Sequence, residues 1–179
     1  MRVIAGSHKG RRLTAPKGQH VRPTGDRVRE AIFNLVGPVD DASVLDLFAG
    51  SGALGIEALS RGARRCVFAE LDRGAARVIQ QNLERLQLTG AVVERRDALA
   101  VLREEGSRGR RHDLILCDPP YEAWRNLEAP LAERLPPVLS PDGLLVVETA
   151  ARTEPQLPLD LVTSRRYGSA RITIFRQMR

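Results

Sequence analysis

The chain has 179 residues, 42% of them hydrophobic, and a formal net charge of +6. That length and apolar content suit one globular unit with a real core and exclude a disordered or fibrous chain. The positive charge points to a polyanionic partner, two isolated cysteines give neither a disulfide framework nor a metal site, and no apolar run is long enough to span a bilayer. The expectation is therefore a cytoplasmic protein with no metal and no membrane partner. Of the 28 basic residues only Lys9 and Lys17 are lysine, leaving 26 arginines. Arginine suits phosphate and guanine recognition, although GC-rich coding would produce the same skew.

Residues 1–25 are basic and rich in turn formers: Arg2, Lys9, Arg11, Arg12, Lys17 and Arg22, with no acid before Asp26. Short apolar stretches at Val3-Ile4 and around Leu13 predict a small hairpin across Gly6 and Gly10. Asp26 can cap a helix in which Val28, Ala31, Ile32, Leu35 and Val36 recur at helical spacing before Gly37-Pro38. From residue 43 strands and helices alternate. Val44–Phe48 reads as a strand, Ala53–Ser60 as a helix ending near Gly62, and Arg65–Glu70 as a second strand. A helix with Ala76, Ile79, Leu83 and Leu86 on one face ends before Gly90. Val92–Arg95 is a third strand, Ala98–Glu104 a short helix, and 106–111 a polar loop. Asp113–Cys117 is a fourth strand, Leu127–Leu135 a helix bounded by Pro136-Pro137, and Leu144–Glu148 a fifth strand. Leu161–Tyr167 and Arg171–Arg176 flank Gly168-Ser169 and read as a terminal hairpin. Alternating strands and helices imply a mostly parallel α/β sheet wound on both faces. The expected organisation is an N-terminal extension over 1–40 followed by one domain over 41–179.

Asp118-Pro119-Pro120-Tyr121 follows the apolar run Leu114–Cys117, so a carboxylate, a rigid turn and an aromatic ring share one strand end. In an open α/β sheet that edge is where ligands bind. Each proline fixes φ and removes a donor, leaving carbonyls to accept. Asp118 and a proline carbonyl could accept from a planar amine while Tyr121 stacks on its ring, a set that suits a nucleobase with an exocyclic amino group. The plainer alternative is a proline turn with a half-buried tyrosine.

Between the first strand and its helix, Gly50, Gly52 and Gly55 match G-x-G-x-x-G, and Glu70 lies 20 residues after Gly50. That spacing places a carboxylate on ribose hydroxyls. Asp46 beside the loop would repel a pyrophosphate but attract an ammonium and a sulfonium, so S-adenosylmethionine fits better than NAD. Asp72 is a rival to Glu70, and Asp97 reads equally as the N-cap of the following helix. Trp124 reads as either a pocket wall or core filling.

In order, DLFAGSGALG (residues 46–55) and DPPY (118–121) resemble the class I S-adenosylmethionine-dependent methyltransferases that modify exocyclic amines. With Arg2–Gly6, Lys9–Leu13 and Arg22–Glu30, the whole chain resembles the RsmD family. Gly25 departs from that pattern, which has threonine or another polar residue there. The resemblance implies a Rossmann-like fold and methylation of the N2 amine of a guanine in 16S ribosomal RNA, as naked RNA or within the small ribosomal subunit, by a monomer. It implies that Asp46, Phe48, Ala49, Gly50, Ser51, Gly52, Glu70, Leu71, Asp97 and Ala98 hold the cofactor, with Leu71 against the adenine. Asp118, Pro119, Pro120 and Tyr121 would be catalytic. Arg2, Lys9, Arg11, Arg12, Arg22, Arg27 and Arg29 would bind RNA. Three other readings remain at this point: an adenine-N6 methyltransferase, a silent RNA-binding assembly factor of the same fold, and an NAD-dependent oxidoreductase.

Overall fold

A computed structural model describes residues 1–16 and 25–177 of the chain. After an N-terminal arm and helix α1 (Asp26–Val36), the chain runs β1 (Ser43–Leu47), α2 (Ala53–Ser60), β2 (Arg65–Ala69), α3 (Arg73–Leu86), β3 (Ala91–Glu94), α4 (Ala98–Ser107), β4 (His112–Cys117), α5 (Trp124–Val138), β5 (Leu139–Ala150), β6 (Asp160–Tyr167) and β7 (Ala170–Arg176). The strands form one sheet in the order β3-β2-β1-β4-β5-β7-β6. Strands β1 to β5 pair in parallel, while β7 runs antiparallel to both β5 and β6. The sheet is thus a parallel, Rossmann-like α/β sheet ending in an antiparallel hairpin. Its order reverses between β1 and β4, and the crevice at such a switch point receives ligands.

Val44, Leu45, Leu47, Cys66, Val67, Phe68, Ile115, Leu116 and Cys117 are all buried. Central parallel strands are covered on both faces and so read as unbroken apolar runs. One core lies between the sheet and α1, α2 and α3, built on Ile32, Phe33, Ile56, Ile79 and Leu83. The other lies under α4 and α5, built on Val101, Leu102, Leu131, Leu135 and Val138. Gly55 is a packing glycine: a Cβ there would meet the Phe68 ring at 2.3 Å and Cys66 Sγ at 2.7 Å.

The arm folds as the expected hairpin, with Val3 N donating to Arg11 O and Gly10 N to Val3 O, each at 2.9 Å. It is bolted to the body by a buried carboxylate. Glu57 of α2 accepts from Ile4 N at 2.8 Å and from Ala5 N at 2.9 Å, and also pairs with Arg61 at 2.8 Å. Gly6 sits so close to α2 that a Cβ would lie 1.8 Å from Ser60 O. On the other side Asn82 of α3 exchanges two hydrogen bonds with the Thr14 backbone, at 2.9 and 3.0 Å.

Several boundaries differ from the sequence reading. Asp26 does not cap α1. Gly25 occupies the N-cap, and the Asp26 carboxylate instead pairs with Arg29 at 2.9 Å and with Arg2 at 3.6 Å. Strand β1 stops at Leu47 because Phe48 turns left-handed, at φ 59°. Helix α4 continues through Ser107, taking residues expected in the polar loop. Helix α5 starts at Trp124 and passes through Pro130, Pro136 and Pro137. Proline removes a backbone donor and crowds the preceding turn; here Trp124, Leu131, Leu135 and Val138, all buried, anchor the helix across that cost. Trp124 is core filling. Strand β5 begins at Leu139, and its register against β4 shifts between His112 and Leu114.

Candidate functional site

The C-terminal ends of β1, β2 and β4 bring the two sequence motifs to one crevice. Asp46 is 1% exposed, and its Oδ2 accepts from Gly55 N at 2.9 Å at the start of α2. Burial pushes its carboxyl up to about 7, the Gly55 hydrogen bond pulls against that, and the nearby Glu70 charge adds to the rise. The backbone above it is held in left-handed turns at Phe48 (φ 59°), Gly50 (φ 56°) and Gly52 (φ 76°). For Phe48 this conformation is costly, and such costs concentrate at ligand sites. Glu70 closes the loop: its carboxylate accepts from Gly50 N at 2.7 Å and from Asp72 N at 2.7 Å. Next to it Leu71 is 67% exposed, an apolar side chain laid on the surface beside an acid. Asp72, the rival ribose ligand, caps α3 by accepting from Ala75 N at 2.7 Å.

Asp97 caps α4, accepting from Leu99 N at 3.0 Å and Ala100 N at 3.2 Å, and Ala98 beside it is buried. The cap position proposed from sequence is therefore occupied by this side chain. Ser51 and Ala49 lie in the loop between β1 and α2; Ser51 Oγ reaches Met1 Sδ at 3.7 Å, so the arm runs past the loop's outer side. This set suits a ligand with a cation, a vicinal diol and a flat apolar face: Asp46 for the cation, Glu70 for hydroxyls, Leu71 for the face. S-adenosylmethionine has that chemistry.

Asp118 follows β4 directly, with Pro119 buried and Pro120 exposed. The Tyr121 hydroxyl donates to Glu148 Oε1 at 2.8 Å. That contact ties the turn to β5 and fixes the tilt of the ring. Glu148 is 7% exposed, and sequence reasoning passed over it as the last residue of a strand. The available signal was an acid ending an apolar strand beside the DPPY strand.

Among the residues expected to meet RNA, Lys9, Arg11, Arg12 and Arg27 are exposed, and the Arg2 side chain is 68% exposed. Arg22 lies outside the described residues. Arg29 is a correction. Its side chain is wholly buried, donating to the Arg2 carbonyl and to Asp26 and lying 3.7 Å from Glu57. It joins arm to body and is closed to a phosphate. His8 Nε2 contacts the Leu86 carbonyl at 2.8 Å.

A second polar cluster sits at the opposite end of the sheet. His112 contacts Glu105 at 2.9 Å and Ser43 at 3.1 Å, and Arg110 adds hydrogen bonds to Glu105. Burial holds the His112 imidazole below its usual value. Burial also pushes the Glu105 carboxyl up, but hydrogen bonds from Arg110 and His112 more than offset it and leave the group below its ordinary value. This cluster clamps α4 to β1 and β4, away from the crevice. No group of metal-binding side chains occurs among the described residues, and no described helix is long and apolar enough to cross a membrane.

Comparison with known proteins agrees with this geometry. The family model described as conserved hypothetical protein 95 matches residues 1–176. The Bacillus subtilis protein named "Putative rRNA methyltransferase YlbH" is 43% identical over 99% of both chains. Escherichia coli ribosomal RNA small subunit methyltransferase D is 43% identical over 68% of this chain and 60% of its own length. The solved structure of the Escherichia coli protein named "Putative methyltransferase yhhF" superposes with a TM-score of 0.86 at 32% identity, covering 100% of this chain and 99% of that one. A match to the family model along nearly the whole length, joined to the glycine loop, the acid after β2 and the DPPY turn, places the chain in the conserved hypothetical protein 95 family, the RsmD family of methyltransferases.

Proposed function

We propose that this protein transfers a methyl group from S-adenosylmethionine to the exocyclic N2 amine of a guanine in small-subunit ribosomal RNA. The observation that carries the reading is the DPPY turn placed beside the glycine loop at the β1–β4 switch point. The names of the relatives, methyltransferases of ribosomal RNA and of the small subunit, support it. The partner is 16S RNA or the small-subunit particle, the acting form is a monomer, and the setting is the cytoplasm. In this reading residues 1–40 form the RNA-facing extension of a methyltransferase domain over 41–179.

S-adenosylmethionine supplies a methyl group on a positive sulfur, already activated for transfer. The chain's own task is to hold it and to prepare the acceptor. Asp46 attracts the ammonium of the methionine part. The loop from Phe48 to Gly52 lets the backbone approach closely, Glu70 accepts from the ribose hydroxyls, and Leu71 covers the adenine, with Asp97 and Ala98 at its edge. The acceptor amine is the harder partner, since its lone pair is delocalised into the base. Hydrogen bonds from that amine to Asp118 and to the Pro119 carbonyl turn the lone pair out of conjugation. They also stabilise the positive charge that grows on nitrogen as the methyl–sulfur bond breaks and the neutral thioether leaves, and the spare amine proton then passes to Asp118 or to water. The remaining contribution is alignment for in-line transfer. A guanine must leave its stack to reach the crevice, and Tyr121, held by Glu148, offers the ring on which it stacks. Lys9, Arg11, Arg12, Arg27 and Arg2 supply phosphate contacts.

The test is methyl transfer from labelled S-adenosylmethionine to small subunits from a strain lacking the gene, followed by nucleoside analysis. N2-methylguanosine is the expected product. N6-methyladenosine, or no incorporation, would overturn the assignment.

A further inference from the structure

The parallel register puts two carboxylates, Asp46 and Glu148, on one face of the sheet, with Asp118 one residue beyond the end of β4 between their strands. Asp46 of β1 is level with Leu116 of β4, and Leu116 with Val146 of β5. Residues level with one another on adjacent strands point the same way, and alternate residues along a strand share a face. Leu116 and Val146 belong to the core under α1, α2 and α3, so Asp46 faces that side. Glu148, two residues beyond Val146, is level with Ile172 of the same core. Cys117 is level with Val147, so the next step brings Asp118 alongside Glu148. The DPPY turn is anchored to Glu148 by the Tyr121 hydroxyl, at 2.8 Å. A nearly buried carboxylate thus borders the place where the target base would lie, next to the residue that receives its amine.

A carboxylate can only accept hydrogen bonds. Guanine carries two donors side by side, N1–H and the N2 amine, while adenine has a bare acceptor at N1. We infer that Glu148 is a specificity-determining residue that accepts N1–H of the target guanine while Asp118 and the Pro119 carbonyl take the amine. The inference rests on the guanine-N2 reading above and deepens it. It explains why the fold tolerates a second buried acid in this crevice beside Asp46: the same group that orients Tyr121 rejects any base whose N1 lacks a proton. A site built to hydrogen-bond one partner discriminates strongly against an analogue that leaves its polar group unmatched.

The test uses the full-length protein and small subunits reconstituted with guanine or 2-aminopurine at the methylated position. 2-Aminopurine keeps the N2 amine but has no proton on N1. Wild type should prefer guanine by at least about a hundredfold in kcat/KM. Glu148→Gln offers an amide that can accept from guanine or donate to 2-aminopurine, so the preference should fall to within about tenfold. Glu148→Asp keeps the charge and should retain the preference at reduced turnover. S-adenosylmethionine affinity should match wild type in both variants, reporting an intact sheet edge. If Glu148 only braced Tyr121, both bases would slow together and the ratio would stand; an unchanged ratio in Glu148→Gln with active wild type overturns this assignment alone. Wild type that methylates no guanine overturns the function reading and this inference with it.

Discussion

Asp46 sits beneath the glycine loop as an acid that ionises late. Its folded-state value of about 7 lies above the ordinary 3.8. The stability it contributes is therefore complete below about pH 4 and is lost as pH rises through about 7, a change on the order of a few kcal/mol at most. A bound ammonium reverses the preference, because only the ionised carboxylate attracts it. We expect S-adenosylmethionine affinity to rise with pH until about 7, and binding below pH 7 to release protons. Calorimetry in buffers of different ionisation enthalpy measures that release. Asp46→Asn should abolish the pH dependence and weaken binding by roughly 1–3 kcal/mol; a pH profile unchanged by the substitution would count against the cation role. Asp118 should behave differently, since the proposed mechanism places it against the acceptor and not the cofactor. Asp118→Ala should lower turnover by about a hundredfold or more with S-adenosylmethionine affinity retained. Single-turnover rates at saturating RNA decide this, and near wild-type turnover would remove the mechanism.

At the level of elements, helix α2 shows what a sequence can and cannot disclose. Its bounds, Ala53–Ser60 ending near Gly62, were legible from the sequence. The role of Glu57 was not legible. Every residue of α2 is buried, so the helix has no polar face that would mark one acid as special, and the groups that satisfy Glu57 come from residues 4, 5 and 61. Arg29 was misread for the matching reason: in a basic segment nothing local separates an arginine that faces solvent from one that faces Glu57. Long-range pairing also explains Glu148, whose partner Tyr121 is 27 positions away, and α5, whose apolar anchors override its prolines. The first half of the sheet was legible because its signals are local in sequence: loop glycines, strand runs and an acid at fixed spacing. Glu57→Ala should free the arm by leaving the Ile4 and Ala5 amides without an acceptor, while Arg29 keeps Asp26, at a cost of about 2–6 kcal/mol for two buried donors left unpaired. Urea denaturation measures the cost, and a loss under about 1 kcal/mol would show that the arm is held elsewhere.

For the molecule as a whole, charge is distributed in a way that suits one large anionic partner. The net charge is +6, and the arm places exposed Lys9, Arg11 and Arg12 on the side of the sheet that carries the glycine loop. Each phosphate contact releases counterions, so RNA affinity should fall steeply with salt. Replacing both Arg11 and Arg12 by alanine should weaken RNA binding and lower the slope of log affinity against log salt by about 1–2 units. S-adenosylmethionine affinity and the identity of the methylated base should not change. Binding measured over a salt series decides it; an unaltered slope would move the RNA contact away from the arm.

Glu57 grips the arm by main-chain amides, those of Ile4 and Ala5, and not by their side chains. Most substitutions at these two positions leave both donors in place, and proline alone removes one. The exposed positions Lys9, Arg11 and Arg12 can therefore change while this attachment stays the same. In the proposed reading that makes the arm a graft site: its outer surface can be rewritten for a different RNA as long as Val3, Gly6 and Leu13 keep their packing.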